Sequence, residues 1–144
     1  MKVIFLDIDG VLNDAITTAD LMDDSPKKEH LDCLKQIVDA TGAEIVLSST
    51  WRLFPLSRRE IKKSLATVGL DFIDRTDELD DGRGAEIDAW LCKHPEVENF
   101  VILDDEDRDM KGEFADHIVR TSFYTGLLPE HVEKAIKILN KEVA

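Results

Sequence analysis

Apolar residues fall along this chain in short unbroken runs separated by stretches of helical spacing. Val3-Ile4-Phe5-Leu6 is the first run. A strand with no polar face reads as one covered on both sides, as at the centre of a parallel sheet. Residues 43–47, 100–103 and 117–120 read as further strands, and 70–73 as a short one at a sheet edge. Between them Leu31, Leu34, Ile37 and Val38 recur at helical spacing, with Ser25-Pro26 as the opening and Thr41-Gly42 as the close. Ser57 opens a second predicted helix, with Ile61, Leu65 and Val68 on one face and Gly69 as its stop. Residues 85–94 make a third, with Ile87, Trp90 and Leu91 facing inward and Pro95 closing it, and Pro129 begins a fourth carrying Val132, Ile136 and Leu139. Residues 14–26 and 74–84 are polar connections. Strand and helix alternate with crossovers long enough for right-handed parallel units, so the predicted class is α/β: a three-layer α/β/α sandwich around a mostly parallel five-stranded sheet.

Three of these strands end in residues that can do chemistry. Asp7 and Asp9 follow the first, with Gly10 permitting a sharp turn; Ser48 and Ser49 follow the second; Asp104 and Asp105 follow the fourth. Asp-x-Asp-Gly alone also suits an ordinary turn or a calcium loop, but a calcium loop sits between helices, and these acids leave a strand. In a doubly wound sheet, ligands bind where strand order reverses, at the carboxyl ends. Asp7, Asp9, Asp104 and Asp105 are therefore expected to share one small volume. Like charges so close raise one another's pKa unless a cation intervenes, and hard oxygen ligands select Mg²⁺.

Composition narrows the setting. A chain of 144 residues, 43% hydrophobic, is one domain's worth, and neither repeat, low-complexity tract nor linker divides residues 1–144. The net charge of −13 repels polyanions and anionic membrane surfaces, so any nucleic-acid contact must be local. Cys33 and Cys92 are too few for a disulfide framework or zinc site, and both are expected in the core. Only Lys2 precedes the first strand, which fits neither a signal peptide nor a membrane span, and a reducing cytoplasm is the expected compartment.

Asp7-Ile8-Asp9-Gly10-Val11, the strand-end Ser48-Ser49, and Ile102-Leu103-Asp104-Asp105 with Asp109 together resemble the first, second and fourth motifs of the haloacid dehalogenase (HAD) superfamily of phosphohydrolases. More narrowly, Asp9-Gly10-Val11-Leu12-Asn13, Leu47-Ser48-Ser49-Thr50-Trp51-Arg52 and Arg83-Gly84-Ala85-Glu86-Ile87 resemble the HAD domains of nucleic-acid repair proteins. The resemblance implies a Rossmann-like HAD fold and a division of roles. Asp7 attacks phosphorus and forms an aspartyl-phosphate. Asp9 serves as general acid and then base, with its main-chain carbonyl reaching the metal. Magnesium is held by Asp7 and Asp105, with Asp104 and Asp109 in support. Ser49, in preference to Ser48, donates to a phosphoryl oxygen, with Gly10, Thr50 and Arg52 as further substrate contacts. Arg83, between Gly82 and Gly84, stands where the superfamily usually has Lys, and balances transition-state charge.

Trp51-Arg52 could grip a base and its phosphate, or pack inward; Arg58, Arg59, Lys62 and Lys63 read as a solvated helix face. His30, His94, His117 and His131 show no ligand spacing and read as surface or helix-end residues, and Glu106 and Asp107 as spectators. Neither 13–27 nor 52–84 has room for a cap domain. An open, capless site favours a protruding substrate, a nucleic-acid end or a nucleotide, over an enclosed small metabolite. A phospho-accepting receiver module shares the fold type, yet its acidic pair precedes the acceptor and a Lys follows on the last strand, whereas here the pair follows and the last strand ends in Arg120-Thr121. A catalytically silent HAD-fold binding protein is the third reading.

Overall fold

The computed structural model describes residues 1–15, 24–107, 109, 110, 112 and 114–142. Among these residues five strands, β1 (Lys2–Leu6), β2 (Glu44–Leu47), β3 (Phe72–Arg75), β4 (Asn99–Asp104) and β5 (Ile118–Arg120), form one all-parallel sheet in the order β3-β2-β1-β4-β5. Strand β1 is central, as its unbroken apolar run implies. The chain leaves β1 first to one side, through β2 to β3, and then returns to the other side of β1 for β4. Strand order therefore reverses between β1 and β4, where an open α/β sheet binds its ligands.

Among the described residues four helices cover the sheet: α1 (Lys28–Thr41), α2 (Pro55–Ala66), α3 (Arg83–Cys92) and α4 (Pro129–Leu139). Alternate residues of β1 face opposite layers. Ile4 and Leu6 pack with Leu31, Leu34 and Ile37 of α1, Ile61 and Leu65 of α2, and Val132, Ala135 and Leu139 of α4. Val3 and Phe5 pack with Ile87 and Trp90 of α3 and with Phe114. Burying one such aliphatic or aromatic side chain contributes about 1.5–3 kcal/mol, so both faces of the central strand are held firmly. The expected HAD-like α/β/α sandwich is the observed one, and no cap domain is evident among the described residues.

Several boundaries differ from the sequence expectation. Helix α1 starts at Lys28 and not at Pro26, because Lys27 is extended and its amide donates to the Leu12 carbonyl at 2.7 Å, tying it to the loop after β1. Helix α2 starts at Pro55, preceded by a 3₁₀ turn over Thr50–Leu53 that carries the chain away from β2. Strand β3 runs two residues later than expected, since Leu70 turns into the core while the exposed edge pairs from Phe72. Helix α3 begins at Arg83, two residues early, and a further 3₁₀ turn, Ala115–His117, leads into β5. Cys33 is buried as expected, but Cys92 is exposed at the end of α3. Asp20 and Asp23 of the polar loop, with Ile16, Leu21 and Met22, lie outside the described residues.

Candidate active site

The sheet's hydrogen bonding continues past the strand ends and aligns the residues beyond them. The Asp7 amide donates to Leu103 O (3.0 Å), Ser48 N to Leu6 O (3.1 Å) and Thr121 N to Asp104 O (3.0 Å). Acids separated by nearly a hundred residues thus emerge side by side. Carboxylate oxygens of Asp7, Asp104 and Asp105 lie within 4.8 Å of one another at the carboxyl end of β1 and β4. They line an open cleft of about 470 Å³ with Asp9, Thr50 and Arg83.

Burial and charge work together on this trio. Asp7 is pushed well above the ordinary carboxylate range by burial and then by the Asp104 charge, against the pull of Arg83. Asp105 is pushed up to about 6, again by burial first and Asp104 second. Arg83 Nη1 stands 2.5 Å from Asp104 Oδ2 and 3.4 Å from Asp7 Oδ2. Burial opposes the Arg83 charge, but the two carboxylates outweigh it and raise its pKa, so it is a fixed cation. Asp104 is held at both oxygens: Oδ1 accepts from the Glu106 amide (3.0 Å) and Oδ2 from Arg83, which leaves each a lone pair for a further partner.

Three buried or half-buried carboxylates converging on one point make an all-oxygen donor set of the kind Mg²⁺ takes, and the residues fit that ion. Asp109 falls outside the trio. Its Oδ2 accepts from the Arg83 amide (2.7 Å) and so caps the start of α3. The Asp109 carboxylate lies against Gly82 and its carbonyl against Gly84, where a Cβ would come within 2.2 Å and 2.4 Å respectively, which accounts for the glycines flanking Arg83. Asp109 therefore positions Arg83 while lining the same cleft as the trio.

Asp9 also stands apart from the trio, exposed at the mouth. Asn13 Nδ2 donates to its Oδ1 (2.9 Å) and Trp51 Nε1 to its Oδ2 (3.2 Å), so both carboxylate oxygens are gripped. Neither holder was singled out from sequence for this task, although Asn13, one helical turn beyond Asp9, was a usable signal. Asn13 Oδ1 also accepts from the Gly10 amide (2.9 Å), and the Gly10 carbonyl accepts from Thr121 Oγ1 (2.6 Å). Gly10 was expected to contact substrate. Both of its backbone polar groups are instead used internally, and it is required because φ is +77° and an added Cβ would meet the Asp105 carboxylate at 2.4 Å.

Arg52 departs furthest from expectation. It is only 2% exposed, and its guanidinium is turned inward: Nε to Thr76 O (2.8 Å), Nη1 to Ser49 O (2.8 Å), Nη2 to Glu86 (2.9 Å) and to Asp77 O (3.3 Å). It holds the end of β2, the 76–79 segment and α3 together, which corrects its assignment as a substrate contact. Ser48 and Ser49 are both fully buried; the Ser49 hydroxyl accepts from Trp51 N (3.2 Å), while Ser48 Oγ has no partner among the described residues. Thr50 lines the cleft, exposed, at the start of the 3₁₀ turn. His30 is not a surface residue. It is buried, with Nε2 2.9 Å from Asp14 and Nδ1 2.8 Å from Leu127 O, and it ties the loop after β1 to the segment entering α4.

The family model for the HAD domain in Swiss Army Knife RNA repair proteins matches residues 3–132. The chain belongs to this family. No curated protein and no solved structure matches it. Membership in this HAD family brings a phosphatase-like, hydrolase-class function and a phosphorylated substrate at the level of the family, and HAD proteins generally use Mg²⁺, which the acidic trio suits. No helix among the described residues is long and apolar enough to cross a membrane.

Proposed function

We propose that this HAD domain is a Mg²⁺-dependent phosphomonoesterase acting on a nucleic-acid end or a nucleotide through an aspartyl-phosphate. The observation that supports it best is the pairing of a buried carboxylate, Asp7, inside the acidic trio with a second, Asp9, held two residues on at the open mouth. Asp7 and Asp105, with support from Asp104, would hold Mg²⁺, which would supply charge neutralisation between nucleophile and phosphate and orientation of the transferring group.

The residues divide the reaction into two displacements. An oxygen of Asp7 attacks phosphorus, the bond from phosphorus to the leaving oxygen breaks, and Asp9 gives that oxygen its proton. Water then attacks the acyl phosphate, Asp9 takes the water's proton, and the bond from phosphorus to Asp7 breaks to release inorganic phosphate. Arg83, fixed by Asp104 and by the Asp109 cap, opposes the charge gathering on the equatorial oxygens, and one strand-end hydroxyl, Ser49 in preference to Ser48, is the donor assigned to them.

The test is phosphate release, with and without Mg²⁺, from a panel of phosphorylated oligonucleotides, nucleotides, sugar phosphates and an aryl phosphate, with Asp7→Asn as control. The proposal expects magnesium-dependent turnover, best on oligonucleotide or nucleotide phosphates and absent in the variant. Sugar phosphates outperforming them would overturn the substrate class. A long-lived phosphoprotein with no ester turnover would favour the receiver reading, and no reaction at all the silent binding protein.

A further inference from the structure

A second cleft of about 490 Å³ adjoins the catalytic one and shares Asp105 and Glu106 as its near wall. Its far side is the turn that follows β5, carrying Phe123 and Tyr124. These are 45% and 72% exposed and stand edge to face with ring centroids 6.0 Å apart. Isolated exposed apolar residues are ordinary; a paired aromatic surface beside a phosphoryl site is more informative.

The turn is built rigidly against the catalytic loop. Ser122 O accepts from Gly126 N (2.7 Å) and Thr125 N (3.1 Å), and Ser122 Oγ accepts from Tyr124 N (3.2 Å). Phe123 O accepts from Ala15 N (2.9 Å), Val11 O accepts from Leu127 N (2.8 Å), and Thr121 Oγ1 donates to Gly10 O. The aromatic pair is therefore referenced to the same loop that carries Asp7 and Asp9.

Charge selects what the cleft accepts. Asp105, Glu106 and Glu130 line it against Arg120, and burial lowers the pKa of His131 and favours its neutral form. A second phosphate is disfavoured there, whereas a flat uncharged ring is not. Arg120, whose Nε donates to Asp105 O (3.2 Å) and whose Nη1 stands 3.9 Å from Asp107 Oδ1, brings a guanidinium to the lining of the same cleft. Aromatic faces with an adjacent guanidinium are the constellation on which unpaired bases stack.

We propose that this cleft is a nucleobase subsite, in which the base of an unpaired terminal nucleotide stacks on the more exposed ring, Tyr124, with the nearly perpendicular Phe123 ring against it, while its phosphate occupies the acidic pocket. This rests on the phosphomonoesterase reading and narrows its substrate to single-stranded ends. Stacking of this kind changes affinity by roughly 5- to 150-fold per base.

The experiment compares kcat/KM for oligonucleotide phosphates whose terminal residue carries a base or is abasic, using the wild type, Tyr124→Ala, Phe123→Ala and Tyr124→Phe. Anisotropy of the unphosphorylated oligonucleotides gives binding independently of turnover. The proposal expects a base-to-abasic ratio of about ten or more in the wild type, carried by KM, falling towards one in the alanine variants and retained in Tyr124→Phe. A ratio near one in the wild type, or one unmoved by the alanine variants, overturns it even if an aryl phosphate is hydrolysed. Where nothing is hydrolysed the catalytic reading fails, and anisotropy alone decides the subsite by the same ratio. Concentration-dependent self-association abolished by Tyr124→Ala, with no base effect, would make the turn an interface between copies instead.

Discussion

Arg52 offers the sharpest separation between a scaffold and a substrate contact. In Arg52→Met the Glu86 carboxylate, 8% exposed, keeps as hydrogen-bond donor among the described residues the Leu79 amide (2.9 Å), with Arg83 as the remaining nearby cation, and the carbonyls of Thr76 and Ser49 lose their charged donor. Breaking a buried ion pair from one side costs about 3–5 kcal/mol, because the other charge stays buried. For a chain of this length that corresponds to a fall in melting temperature of roughly 10–15 °C. Arg52→Lys keeps the charge with three donors in place of five, and should lie between the two. In the double variant Arg52→Met/Glu86→Leu, no orphaned charge remains, so it should recover much of the loss, giving a large favourable coupling in the cycle. Urea unfolding followed by circular dichroism reads the wild type, both Arg52 variants, Glu86→Leu, which completes the cycle, and the double variant, with phosphate release measured beside it under conditions where each is folded. A stable Arg52→Met protein, within about 0.5 kcal/mol of wild type and selectively deprived of activity, would refute the reasoning and return Arg52 to the phosphate.

Other outcomes follow from the same geometry. Trp51→Phe removes the indole N–H that holds Asp9, along with some ring volume at the edge of the core, so turnover of alkyl phosphates, which need a proton on the leaving oxygen, should fall about tenfold or more while an activated aryl phosphate falls much less; equal losses would contradict the positioning role. Asp105 titrates near 6 when folded against about 3.9 when unfolded, so without metal its contribution is present below about pH 4 and is lost as pH rises through 6. Added Mg²⁺ should accordingly raise the melting temperature more at pH 7.5 than at pH 5, and a shift independent of pH would count against the trio as its ligands. Gly10→Ala, strained at positive φ and driven into Asp105, should lose metal-induced stabilisation as well as activity, which melts with and without Mg²⁺ will show.

What the sequence revealed and what it hid have physical reasons. The Val3–Leu6 run could only be a strand buried on both faces, and once it was central the polar ends of β1 and β4 had to meet; pattern alone carries that inference. Boundaries slipped where one residue answered to two forces. Pro26 has the form of a helix opener, yet the Lys27 amide is captured by Leu12, while Pro55, the true first residue of α2, was obscured by the 3₁₀ turn before it. Arg52 and His30 were misread for a common reason. Their partners, Glu86 for the one and Asp14 with Leu127 for the other, are supplied by other segments, and nothing in the spacing of charged residues marks which of them will be buried. The exposed pair Phe123 and Tyr124 drew no attention, because an aromatic dipeptide in a turn acquires meaning only when the neighbouring cleft is known.

The central claim is that Asp7 takes the phosphoryl group, and trapping it is the direct test. Rapid acid quench of a single turnover with substrate labelled in its phosphate, followed by peptide mapping, should find label on Asp7 that is lost to hydroxylamine, requires Mg²⁺ and is absent in Asp7→Asn. Phosphate release without any labelled protein, in a quench fast enough to outrun hydrolysis, or with label on another residue, would contradict the account.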